Sequence, residues 1–180
     1  MITTKLAIHF GDRQPDPRDK YISATSKRIT AELLTRPDYQ GFLTPDAAPR
    51  AERDFNELIP LVSLMHAKAV KLLAGTDCAA SIIYPGFCVH DELELMVTAG
   101  LTPMEALLTA TANPAQVLGQ KDLGVIRSGS FADFVLLHAN PLDDIRNTKK
   151  IHAVVSRGKV YSRPDLDTLL AKAAREAAAT

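Results

Sequence analysis

From Arg50 to Ala69 the apolar side chains Phe55, Leu58, Ile59, Val62, Met65 and Ala69 recur three and four positions apart. That spacing predicts an amphipathic helix with one buried stripe, which Pro60 kinks or delays. Val70–Ala74 follows as a short continuous apolar run, the pattern of a strand covered on both faces. Helix and strand together read as half of an α/β repeat. A second helix is predicted over about His90–Thr98, with Gly100 in the left-handed position after its end. Thr102-Pro103-Met104-Glu105 has the form of a capping box with proline in the first turn, opening a third helix that runs to about Ala112. Asn113-Pro114 repeats the cap-then-proline signal for a short fourth helix ended by Gly119.

The pattern changes at Gly124. Val125-Ile126, Ala132–Leu137, Ile151–Ser156 and Lys159–Tyr161 read as short strands separated by Ser128-Gly129 and Arg157-Gly158, a small β unit rather than more α/β. From Pro164 the leucines and alanines return to helical spacing in a terminal helix. At the other end Ile2–Phe10 reads as a strand stopped by Gly11-Asp12. Gln14–Pro49, with prolines at 15, 17, 37, 45 and 49, reads as irregular apart from a short helix over Ser26–Leu34. A connection of that length inside a compact unit is usually functional or mobile. The division expected is 1–120, 121–163 and a tail at 164–180.

With 180 residues and 46% hydrophobic content, the chain can form a core and is not expected to be disordered. Twenty-one basic and 21 acidic residues cancel, which removes the electrostatic footprint of a nucleic-acid binder. No apolar run reaches the ~20 residues a membrane-spanning helix needs, and the opening MITTKLAIHF lacks the pattern of a signal peptide. Cys78 and Cys88 read as free thiols in a reducing compartment, Cys78 as a packed, inert one, because no local base would lower its pKa.

The stretch LLAGTDC, residues 72–78, ends an apolar run on Gly75-Thr76 and then presents Asp77. In α/β barrels the chemistry sits where strands end, so Asp77 is a candidate general base and metal ligand. The alternative is that it caps the next turn or pairs with a nearby base. AGTD at 74–77, HDELELMVTAGLTPMEALLTATANPAQVLG at 90–119 and GVIRSGSFADFVLLHANPL at 124–142 together resemble the C-terminal part of the metal-dependent amidohydrolases, nearest to imidazolonepropionase-like and prolidase-like members.

The resemblance implies an α/β fold in which Ile2–Phe10 and Val70–Thr76 are the last strands of a (β/α)8 TIM barrel. Gly124–Tyr161 would be the C-terminal half of a small β-sandwich. It implies hydrolysis of a C–N bond in a cyclic amide, N-acyl amino acid or dipeptide, by water activated on a divalent metal, expected to be zinc, with Asp77 as base and ligand. His90 and Tyr84 are the expected substrate-binding residues, and Asp133 a structural aspartate of the sandwich or a strand-edge turn residue. The family's His-x-His pair, its Lys or Glu and its two further histidines cannot be placed. The five histidines are His9, His66, His90, His138 and His152, no two of them two positions apart. His66 is expected to pack or face solvent, and His9 to lie in a loop or line a pocket. The remaining metal ligands are therefore expected outside this chain, as in a truncated or split enzyme. The partners implied are a small amide or dipeptide substrate, with homo-oligomerisation or a complementary N-terminal fragment, and the expected compartment is cytoplasmic.

Overall fold

A computed structural model describes residues 15–37, 44–78 and 84–179, a mixed α/β chain in two compact units. The strand expected over Ile2–Phe10, and His9 with it, lies outside the described residues.

The first unit comprises residues 1–60, 76–88 and 170–180. Its described part begins with a 3₁₀ turn, Pro17–Tyr21, closed by a capping box in which Asp16 accepts from Arg18 N and Asp19 accepts from Asp16 N. Helix α1 spans Ala24–Leu34 and starts two residues before the predicted boundary, because Ser23 Oγ accepts from Ser26 N and caps it. Helix α2 spans Ala47–Ala67. It starts earlier than the apolar stripe does, since Pro49 falls in its first turn, where a missing N–H costs no helical bond. Pro60 lies inside α2 without ending it. The segment expected to be irregular up to Pro49 thus holds a 3₁₀ turn, α1 and the start of α2.

The second unit comprises residues 61–75 and 89–169. Helix α3, Cys88–Thr98, carries Leu93, Leu95 and Met96 into the interior, where Ala99, Leu101 and Ala106 are also buried. Burying each large apolar side chain contributes about 1.5–3 kcal/mol. Gly100 closes α3 at φ +98°, with Leu101 N donating to Met96 O, as its position in the sequence predicts. Helix α4, Pro103–Thr109, has the predicted capping box. Thr102 Oγ1 accepts from Glu105 N, and Glu105 Oε2 accepts from Thr102 N at 2.8 Å. Those bonds to Thr102 hold the Glu105 carboxyl below the usual carboxylate range.

Three expectations fail here. Helix α5, Ala112–Val117, is preceded by Thr111 rather than capped by Asn113, and Thr111 Oγ1 donates backward to Leu107 O. Asn113 instead turns its amide to Leu72 O, 3.0 Å away. Val70–Ala74 is extended but is not a strand, because among the described residues no neighbouring strand supplies its ladder. Its contacts run to helical segments: Ala74 N donates to Thr109 O at 2.9 Å. Val125-Ile126 forms no strand, and Ile126 is 85% exposed, so the pair lacks the covered face a short strand requires.

Strands β1 (Phe134–Leu137), β2 (Ile151–Ser156) and β3 (Lys159–Tyr161) form one antiparallel sheet in chain order. Arg157 and Gly158, at φ 50° and 76°, make the two-residue turn between β2 and β3. Positive φ at both positions matches the right-handed twist of the flanking strands. Asp133 accepts from Arg157 N at that turn, the strand-edge role open to it in the sequence. The terminal helix α6 spans Arg163–Ala179, and no helix among the described residues is long and apolar enough to cross a membrane.

Candidate functional site

Gly75 and Thr76 end the extended run, and Asp77 follows at φ 48° with its side chain exposed. A non-glycine residue in the left-handed region is uncommon, and aspartate tolerates it better than most because its short side chain bonds locally. Both neighbours of Asp77 are tied to one residue. Thr76 Oγ1 lies 3.5 Å from Cys88 Sγ, and Cys78 is joined to Cys88 in a disulfide with Cα atoms 6.8 Å apart. The expectation of free thiols is corrected accordingly. Thr76, Cys78 and Cys88 are thereby brought together, although sequence spacing alone left them apart.

Tyr84 belongs to the same unit and is 4% exposed. Its hydroxyl donates to Asp19 Oδ1 at 2.8 Å, and the Arg18 guanidinium lies 4.2 Å from the ring centroid. A buried tyrosine normally finds such a partner for its hydroxyl. The neighbouring Phe87 stacks on Tyr21, ring centroids 5.4 Å apart. The loop before α3 is therefore anchored to the 3₁₀ turn by an aromatic pair and a hydrogen bond.

His90 lies in the second unit, in the first turn of α3, half-buried. Its Nδ1 is buried and has no hydrogen-bond partner among the described residues. Burial pushes the imidazole below its usual pKa, and the charge of Lys149 pushes it further, against smaller opposing effects of Asp91 and Glu94. Lys149 Nζ stands 2.8 Å from Asp91 Oδ1 and 2.6 Å from Glu94 Oε1. Burial works against the lysine's charge, yet its bonds to the two carboxylates carry its pKa upward. The arrangement holds His90 neutral beside a fixed cation and two anions. Sequence reasoning missed Lys149, because it stands 58 residues from Asp91 and nothing in their spacing connects them.

His66 sits on α2, 3.4 Å from Glu105 Oε1, in the packed or surface role expected of it. Among the described residues no three His, Cys, Asp or Glu side chains converge as metal ligands. A zinc ion takes three or four protein ligands, so Asp77 and its described neighbours do not fit a metal centre by themselves.

The profile of the Amidohydrolase family matches residues 42–161. The chain is 38% identical over 103 residues to ochratoxinase of Aspergillus niger, covering 54% of this chain and 20% of that protein. It is 38% identical over 80 residues to imidazolonepropionase of Pyrobaculum arsenaticum, covering 43% and 19%. Among solved structures, a Xaa-Pro dipeptidase with bound methionine in its active site is 26% identical with a TM-score of 0.58, covering 77% of this chain and 33% of that one. A bottromycin amidohydrolase, 22% identical, shares the fold with a TM-score of 0.76 over 98% of this chain and 39% of that one. The chain spans about a fifth of the length of the sequence relatives it matches.

Proposed function

Because the chain belongs to the amidohydrolase family, we propose that it supplies the last part of a barrel and half of a β-sandwich to a hydrolase of C–N bonds, with Asp77 as general base. The observation that carries this reading is an exposed aspartate at the end of the extended AGT segment, inside the matched span, with both its neighbours tied to Cys88. In this reading the Asp77 carboxylate accepts a proton from water as the water oxygen bonds to the carbonyl carbon. The tetrahedral intermediate collapses when the same carboxyl returns the proton to the leaving nitrogen and the C–N bond breaks. One water is consumed, giving a carboxylic acid and an amine.

Members of this family generally bind divalent metals. With one candidate carboxylate among the described residues, this reading assigns the other ligands to residues elsewhere, and no step above is routed through the ion. The relatives' names point to cyclic amides and dipeptides, and N-acyl amino acids complete the substrate class. The test is Asp77→Asn in the protein carrying the whole barrel, assayed on N-acyl amino acids and Xaa-Pro dipeptides. Loss of a positioned base lowers kcat about 10²–10⁴-fold with unchanged Tm. Unchanged kcat would remove Asp77 from the chemistry.

A second reading, a catalytically silent piece that assembles with a complementary chain, is favoured by exposed apolar surface in the second unit. Val135, Leu136 and Val160 of the sheet are exposed, and Leu123 and Val125 line an open cavity of about 460 Å³ beside α5. Large uncovered apolar patches mark surfaces made for contact. Assaying the isolated chain for zinc and for turnover of N-acyl amino acids separates the two: tight zinc binding with turnover by the chain alone would overturn the silent reading.

A further inference from the structure

His138 and His152 lie outside the candidate site, at the end of β1 and within β2. The register explains why they meet. Leu136 pairs with Ala153 and Leu137 with Ile151, so one residue of β2, His152, is left without an opposite number. An unpaired extra residue of this kind is a β-bulge, and bulges re-aim a side chain relative to the regular alternation of the strand. One residue beyond the bulge His138 N donates to Lys150 O at 2.8 Å, which continues the pairing and fixes the backbone on the β1 side. The two imidazoles then stand edge to face with ring centroids 4.7 Å apart and an interplanar angle of 74°. Both side chains are exposed, and neither belongs to the chemistry proposed for Asp77.

We propose that His138 and His152 form a two-imidazole site for Cu²⁺. Imidazole nitrogens bind such ions at about 2.0–2.1 Å, and a ring centre lies about 1.1 Å behind its nitrogen, so two rings at 90–110° about one ion have centroids about 4.5–5.2 Å apart. The observed 4.7 Å falls inside that range. The rings are thus already spaced as two ligands of one ion would be. Imidazole suits copper, zinc and nickel, and the stability order places Cu²⁺ above Zn²⁺. Water completes the coordination shell at this exposed position. The ion would clip the end of β1 to the bulge of β2, so it would favour the folded sheet over the unfolded chain.

The site is tested by titrating the full chain at pH 7.5 with CuCl₂ alone, followed by electron paramagnetic resonance. The expected spectrum of the first equivalent shows nitrogen hyperfine structure from two imidazoles. His138→Gln and His152→Gln should each weaken binding at least tenfold, and His66→Gln should leave it unchanged. Histidine-ring NMR of the unaltered chain gives a reading that does not depend on variants folding: His138 and His152 signals should broaden together at the lowest Cu²⁺ additions. A spectrum with one nitrogen, binding indifferent to both substitutions, or broadening of one ring without the other would overturn the proposal.

Discussion

The side-chain amide of Asn113 donates to the carbonyl oxygen of Leu72, 3.0 Å away, and so ties the extended segment that leads toward Asp77 to the first turn of α5. A backbone carbonyl in a non-strand segment has few ways to be satisfied, and this bond supplies one across 41 residues of chain.

Replacing Asn113 with Ala leaves Leu72 O without that donor in a partly buried setting. The expected loss is about 1–2 kcal/mol. Urea unfolding followed by circular dichroism should show a lower midpoint with unchanged m-value. Asn113→Asp should be at least as harmful, since it replaces a donor with a second acceptor.

Gly124 and Gly119 both have positive φ, at 73° and 69°, but their surroundings differ. A Cβ on Gly124 would collide with the backbone carbonyl of Thr111, whereas a Cβ on Gly119 would meet open space. Gly119→Ala is expected to cost about 1 kcal/mol from backbone strain alone. Gly124→Ala should cost more than twice as much, because the Thr111 backbone must also move. Comparing the two melting temperatures tests the difference, and equal shifts would contradict it.

Burial first and the charge of Lys149 second hold the folded-state pKa of His90 below the ordinary histidine value. Between that lowered value and about 6.5 the unfolded chain holds a proton that the folded chain lacks, so stability rises with pH through this window and falls as the pH drops through it. NMR titration should place His90 below the ordinary histidine range. His90→Gln should flatten that part of the stability profile.

Lys149→Met tests the electrostatic part of the same relationship. Removing the cation should move the His90 midpoint upward, since Asp91 and Glu94 then act on it unopposed. The lysine side chain is 44% exposed, so the direct cost to stability should stay within about 1 kcal/mol. A downward movement of the His90 midpoint would contradict this account.

Cys78 and Cys88 close a short loop, ten positions apart in sequence. Thiol counting on the denatured, unreduced chain should find them unreactive, and reduction should release two thiols. For a loop of this size the chain-entropy account gives about 2–3 kcal/mol of stability lost on reduction. Reactive thiols before reduction would show that the pairing does not form.

The capping box at Thr102–Glu105, the closure of α3 at Gly100 and the Arg157-Gly158 turn were legible in the sequence because each is made within about six residues. Helix α2 was legible from its apolar spacing, although Ala47 and not Arg50 begins it. The same local logic failed at Asn113, where the distant Leu72 carbonyl displaced the cap that the Asn-Pro pair suggested.

By itself the sequence determined the family, the helices of the matched span, the strands after Ala132, and the aspartate that ends the AGT segment. These follow from periodicity, turn chemistry and motif, all carried by neighbours along the chain. Tertiary structure decided the pairing of Cys78 with Cys88, the cation beside His90, the meeting of His138 with His152 at a bulge, and the extended, unpaired state of Val70–Ala74. Each depends on contacts between segments that local hydrogen bonding and side-chain spacing do not bring together, so only the folded path of the backbone could produce them.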